Sequence, residues 1–315
     1  MGDHAQRRNL LLFAAMALIW GVTWAPLKLA VTAMPPVMFA GVRFIPAGLL
    51  LLLFWRGLGN QIGFARRDWP RLLLVSLLII TSGYGLTFWA IQYVPSGLTA
   101  VIANTLTPVS LLGFAVVMGE ETFDVRRVFA IALGGVGLAF LFWASFSGHD
   151  EGTPFKSWGV VALVVSVVAY GFGSILARPL LRSYSSLSVA GATDFLGGLA
   201  LLAVSLTFES GAAASLDFSR WSLELWLCWA FLVLFGSIVA ATIYLVLLKA
   251  WNPSRAGSFA FVSPVIAVFL GMAVFGEKVG PTEAAGMILM LAATVLALRN
   301  QGAKQIPATG PAEGA

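Results

Sequence analysis

Ten stretches of mainly apolar residues, each close to the ~20 residues that cross a ~30 Å hydrocarbon layer, follow one another along this chain. They are Leu10–Ala33, Val37–Trp55, Leu72–Tyr93, Gly97–Met118, Val128–Phe146, Trp158–Ala177, Leu187–Phe208, Leu223–Leu248, Ser254–Phe275 and Val279–Leu298. Of the 315 residues 59% are hydrophobic and 10% charged, against the ~25% charged residues of soluble domains. So little polar surface cannot cover a core in water, and lipid is therefore the solvent. The sequence predicts an all-α membrane protein of ten transmembrane helices. The first stretch is too long for a cleavable signal peptide and lacks its small-residue cleavage site. The tail from Arg299 to Ala315 is polar and rich in Gly and Ala, and is expected to be disordered.

Several chemistries are excluded by what the chain lacks. Cys228 is the single cysteine and lies within an apolar run, so no intrachain disulfide can form. The two histidines, His4 and His149, sit in a tail and a loop, and no Cys/His cluster has metal-ligand spacing. There is no Walker sequence, dinucleotide fingerprint or nucleophile elbow, and no cofactor is implied. The net charge of +5 comes from basic residues scattered through short loops, which fits membrane topology rather than nucleic acid.

With the N-terminus inside, the cytoplasmic segments hold Arg7, Arg8, Arg56, Arg66, Arg67, Arg71, Arg126, Arg127, Arg178, Arg182, Lys249, Arg255, Arg299 and Lys304. The outer segments hold only Lys156, Arg220 and Lys278, while Lys28 and Arg43 fall within spans. Fourteen against three is the positive-inside asymmetry, and it sets both termini in the cytoplasm.

The halves resemble each other. Trp20-Gly21 followed by Lys28 matches Tyr170-Gly171 followed by Arg178, and Pro108 precedes Glu121 by thirteen residues as Pro264 precedes Glu277. Five helices is an odd number, so a second copy enters the membrane upside down, giving the inverted-topology repeat typical of secondary transporters. The expected organisation is a tail over 1–9, a five-helix repeat over 10–146, an outer linker over 147–157, a second repeat over 158–298 and a tail over 299–315.

At Val94-Pro95-Ser96-Gly97-Leu98-Thr99-Ala100, through Asn104 and Thr107-Pro108 to Gly119-Glu120-Glu121, the chain resembles the drug/metabolite transporter superfamily of tandem EamA type. Pro253-Ser254-Arg255-Ala256-Gly257, Ser263-Pro264 and Gly276-Glu277 carry the pattern a second time, and Ile19-Trp20-Gly21-Val22-Thr23-Trp24 fits its opening. In the first copy the Gly-Glu pair falls one residue early, and either Glu120 or Glu121 fits the family glutamate. The likeness spans roughly residues 10 to 298, and within the superfamily the chain resembles the YddG-like amino-acid exporters. It implies a bacterial inner-membrane exporter of amino acids.

Candidate residues follow from what lipid penalises. Pro108, Pro264 and Pro26 lie within spans and free the carbonyls of Asn104, Ala260 and Val22, which need a partner or a cavity. A tolerated kink is the plain reading for one such proline; the matched pair Pro108 and Pro264 favours hinges lining a central path. Trp20 and Trp24, Tyr84 and Phe88, each spaced i, i+4 on one helical face, join Tyr170 and Tyr244 as a cavity wall for an amphipathic solute, against the alternative of belt or packing. Ser174 and Ser263 are expected to bond neighbouring helices, worth ~0.6 kcal/mol on average. Asn104, which is expected not to satisfy itself on its own helix as a serine does, is the better substrate contact. Gly134-Gly135 and Gly197-Gly198 are expected to permit close helix packing.

The charges within spans are Lys28, Arg43 and Asp194, each costing ~2.5–3.5 kcal/mol at a helix centre. Snorkelling suits Lys28 and Arg43. Asp194 either pairs with Arg178 or Arg182 or serves as a coupling carboxylate. So few buried cations argue against phosphorylated substrates, and a neutral or zwitterionic metabolite fits better. The alternatives are a drug or other metabolite permease and, in other classes, a membrane enzyme or receptor; enzymes would show clustered His, Asp or Cys in the spans. The implied partners are a small-molecule substrate and the bilayer, with no nucleic acid, for a monomer or homo-oligomer. Reporter fusions after Arg299 and before Leu10 should both report the cytoplasmic side, and a tail outside would overturn the topology.

Overall fold

The computed structural model describes residues 2–118, 156–250 and 259–299, with positions 125, 129, 132–137 and 139–140. Among these all regular structure is helical. The predicted span Val128–Phe146, the linker over 147–157 and the tail beyond Arg299 lie largely outside the described residues, as do Glu120, Glu121, Asp124, Arg126, Arg127 and Arg255.

Helices α1 (Gly2–Val22) and α2 (Trp24–Ala33) form one apolar span interrupted at Thr23. α3 is Pro36–Gly57; α4 (Trp69–Ser76), a π-helical stretch Leu77–Tyr84 and α5 (Gly85–Ala90) make the next span. α6 is Ser96–Val117, α7 Lys156–Ser183 and α8 Ser186–Phe208. α9 (Leu223–Phe231), a second π-helical stretch Leu232–Val239 and α10 (Ala240–Ala250) follow, then α11 (Phe259–Phe275) and α12 (Pro281–Arg299). Six helices among the described residues are long and apolar enough to cross a membrane: Gln6–Ala33, Pro36–Gly57, Arg66–Ala90, Ser157–Ser183, Ser186–Phe208 and Leu223–Tyr244. Large apolar side chains such as Phe54, Phe208, Leu227, Phe269 and Ile288 stand exposed on the outside, as lipid requires. The chain is a multi-pass membrane protein.

The most intimate contact joins α3 to α8 through glycines. A Cβ on Gly48 would stand 2.4 Å from the amide nitrogen of Phe195 and 2.6 Å from the carbonyl oxygen of Gly191. One on Gly191 would meet the Gly48 carbonyl at 3.0 Å, and one on Gly198 the Ile45 nitrogen at 2.8 Å. Gly41 approaches Leu202 and the Gly198 carbonyl in the same way. With no hydrophobic drive between helices in lipid, such backbone approach is what allows dense packing. Gly197 serves a different neighbour, Ile80 and the Ser76 carbonyl, whereas of Gly134 and Gly135 only Gly134 faces a side chain.

Carboxylates close two helix starts from far along the chain. Glu209 accepts from the amides of Val37 (3.0 Å) and Met38 (2.9 Å) at the start of α3. Glu277 accepts from Ser96 (2.5 Å) and Gly97 (3.1 Å) at the start of α6. Both answer orphan donors and the positive end of the helix dipole.

Gly48→Ala should destabilise the protein by about 1–3 kcal/mol, the usual cost of overpacking. Gly57→Ala, where a Cβ would meet nothing within 4 Å, should be neutral. Thermal unfolding in detergent measures both.

Candidate functional site

Three interruptions of regular helix converge on one interior region. The first is the break at Thr23. Pro26 has no N–H for the Val22 carbonyl, so the ladder loses one bond there although Thr23 keeps helical angles, and the Thr23 hydroxyl donates to the Trp20 carbonyl at 2.7 Å. The second is the π-helical stretch that ends at Tyr84, and the third is the one that carries Gly236 and Ser237. A π-turn widens the helix and redirects side chains, and it is frequent at functional sites.

Tyr84 stands at the centre. Its ring lies 4.8 Å from Phe44 and meets Tyr170 edge-on at 6.1 Å. Trp20 packs 4.4 Å from Phe259 and 5.7 Å from Tyr244, and its indole N–H donates to the Gly236 carbonyl at 3.1 Å. Trp24 is half-buried against the core formed by α2, α3 and α9. Phe88 has no accessible surface; it packs under Phe39 and Phe44, 6.1 Å from each, and backs the aromatic wall from behind. The structure therefore brings Tyr84 and Tyr170 together, sets Trp20 and Tyr244 in a neighbouring group, and puts Phe88 in the core.

Tyr84, Tyr170 and Asp194 lie deep among protein atoms, yet each keeps part of its surface accessible. Among the described residues neither tyrosine hydroxyl nor the Asp194 carboxylate has a hydrogen-bond partner. Polar groups that are deep and unpartnered call for an explanation, such as a partner the protein itself does not supply.

Asn104 corrects the sequence expectation. Its amide donates to the Ala100 carbonyl at 2.9 Å, so it satisfies itself on its own helix as Thr105, Thr107 and Ser174 do. Ser263 does the opposite of what was expected, its hydroxyl being buried without a partner. Helix α6 runs on through Pro108 and α11 through Pro264.

The intramembrane charges also differ from expectation. Lys28 does not snorkel to the outer water. Its ammonium donates to the carbonyls of Ile91, Gln92 (3.3 Å) and Val94 (3.2 Å), closing the end of the span that precedes α6. Arg43 does not reach an interface either and is 8% exposed. Its guanidinium lies 4.8 Å from the Phe44 ring centre and 5.5 Å from that of Phe88, and its Nη2 donates to the Ser237 hydroxyl at 3.4 Å. Asp194 pairs with neither Arg178 nor Arg182; its charged neighbour is Arg43, across the glycine contact of α3 and α8.

Pro46 was missed from the sequence, although it obeys the same rule as Pro26. It frees the Val42 carbonyl, which accepts from the Trp229 indole N–H at 3.0 Å. Phe44, Phe259 and Ser237 carried no signal, because one more aromatic or serine in an apolar run is unremarkable until the helices meet.

A multi-pass helical protein whose two halves each bring an aromatic ring and an unpartnered polar group to one interior point has the build of a membrane transporter. The chain belongs to the EamA-like transporter family, whose model matches residues 7–143 and again 157–299. It is 32% identical over 283 residues to the uncharacterized inner membrane transporter YedA of Escherichia coli K12, covering 90% of this chain and 88% of that one. It is 26% identical over 310 residues to the uncharacterized transporter YvbV of Bacillus subtilis, covering 98% of each. To protein PecM of Dickeya dadantii it is 22% identical over 280 residues, 88% of each. A solved crystal structure superposes with TM-score 0.62 at 18% identity, covering 92% of this chain and 96% of the other, a likeness of fold.

Trp20→Phe keeps the ring against Phe259 and removes the bond to Gly236. It should cost about 1–3 kcal/mol, the penalty of a carbonyl left without its donor, read as a lower thermal unfolding temperature in detergent.

Proposed function

We infer that the protein is a secondary transporter that exports amino acids or related neutral or zwitterionic metabolites by alternating access. The observation that carries this reading is the Tyr84–Tyr170 pair, one ring from each family match, with hydroxyls free for a solute. Aromatic walls supply apolar area and a hydrogen-bonding tip. Trp20, Trp24, Tyr244 and the Asn104 carbonyl oxygen extend the binding surface, and Phe88 backs it. The inner-membrane description of YedA supports a bacterial inner-membrane location.

The architecture we propose is ten helices in two five-helix inverted-topology repeats, roughly residues 10–146 and 158–298, with both termini cytoplasmic. Three internal correspondences support it. Gly41 and Gly48 on α3 match Gly191 and Gly198 on α8 at the same spacing of seven. The two eight-residue π-helical stretches fall in spans of the same order in each half. Pro108 and Pro264 sit at like places in α6 and α11. In this reading the two prolines and Pro26 are hinges between inward-open and outward-open states.

Proteoliposomes challenged with amino acids, phosphorylated sugars and lipophilic cations test the substrate class. Amino acids should move, and Tyr84→Ala and Trp20→Ala should cut transport about tenfold or more, since a solute-facing ring contributes ~0.5–1.5 kcal/mol beyond its buried area. Pro108→Ala or Pro264→Ala should change rate more than selectivity. Movement of a phosphate ester with inert amino acids would overturn the substrate class, and a lipophilic cation moving alone would favour a drug permease.

A further inference from the structure

Arg43 is a cation buried within a membrane span, which costs free energy unless it is paired or used. A guanidinium offers five donors, and among the described residues the only protein acceptor it reaches is Ser237, at a long 3.4 Å. Its Nε is buried without any partner, and its whole side chain is more than nine-tenths buried. The guanidinium carbon lies over the rings of Phe44 and Phe88, and ring faces attract the charge without accepting its N–H bonds as a carboxylate would. Burying a cation this way is justified when a matching anion arrives.

That anion is not Asp194 alone. Asp194 lies within electrostatic reach of Arg43, Tyr84 and Tyr170, but the two charges form no ion pair. The helix contact explains why. The backbone at Asp194 abuts Gly48, where a Cβ would stand 3.0 Å from that of Asp194. Gly48 lies five residues beyond Arg43 on α3, a rise of about 7.5 Å. The glycine seam therefore sets the two residues at different heights on facing helices.

We propose that Arg43 and Asp194 are the two ends of a clamp for a zwitterion: Arg43 takes a carboxylate and Asp194 an ammonium group. This rests on the transporter reading and narrows its substrate class. A lone buried cation would select anions, and a lone carboxylate would select cations. One of each, close but unpaired, is complementary to a solute that carries both charges and no net charge. Guanidinium suits a carboxylate because its fork can bind both oxygens, and the rings of Phe44 and Phe88 beside it limit where that fork can sit.

The test uses full-length protein in detergent and in proteoliposomes, with L-phenylalanine as the probe. Phenethylamine and phenylalaninamide lack the carboxylate, and 3-phenylpropionate lacks the ammonium. In the wild type each one-ended analogue should compete about tenfold or more worse than phenylalanine, because an unanswered buried charge rejects it. Arg43→Gln should lose the preference over phenethylamine and phenylalaninamide while keeping that over 3-phenylpropionate, and Asp194→Asn should do the reverse. Thermal unfolding reports whether each variant folds, and the wild-type competition decides the matter without them. Equal competition by one-ended analogues, or unchanged preferences in both folded variants, overturns the clamp. If amino acids are inert but glycine betaine binds with the same dependence on Arg43 and Asp194, the amino-acid reading falls and the clamp stands.

Discussion

In hydrocarbon, a backbone group without a partner has no water to turn to, and several irregularities among the described residues are answered by a side chain from elsewhere. Pro46 frees the Val42 carbonyl, and Trp229 donates to it. The second π-helical stretch exposes the Gly236 carbonyl, and Trp20 donates to that. Where a span ends before α6, Lys28 gathers three carbonyls; where α6 begins, Glu277 takes two amides. The bends and breaks that shape the interior thus depend on long-range bonds. Each ties together helices that would otherwise be free to slide on one another.

Much of this was legible in the chain, for a physical reason. A membrane span must be long, apolar and continuous, so its existence is written in composition alone, and Pro36–Gly57 differs from the expected Val37–Trp55 by only a residue or two at each end. Pro26 gave its break away because a missing N–H acts within four residues. The aromatic residues and the charges were visible as types; their partners were not. Lys28 and Arg43 look alike in sequence, each a cation a few residues inside a span. One caps a neighbouring helix, and the other lies beside two rings with a single long bond to Ser237 and its Nε without a partner. The expectation that Asn104 would not satisfy itself on its own helix failed because that helix offered a carbonyl at i−4, a local alternative that polar side chains readily take.

The same seam explains why the site sits where it does. Gly41, Gly48, Gly191 and Gly198 bring two backbones nearly into contact, and nothing larger than a hydrogen fits between them. Side chains just beside such a line are forced to its flanks. Arg43 and Asp194 are flank residues of this kind, one on each helix, with the ring of Tyr84 packed against Phe44, the residue after Arg43.

The glycine pattern is shared by the two halves, but the charges beside it are not. Two copies of the first half could mate across such a seam as a homodimer, since the glycines of either helix would accept the other. That homodimer would set Arg43 against Arg43 in a low-dielectric interior, with no counter-charge to relieve the repulsion. Two second halves would do the same with Asp194. Pairing a first half with a second brings one of each, so the halves are complementary rather than interchangeable, and joining them in one chain fixes that pairing.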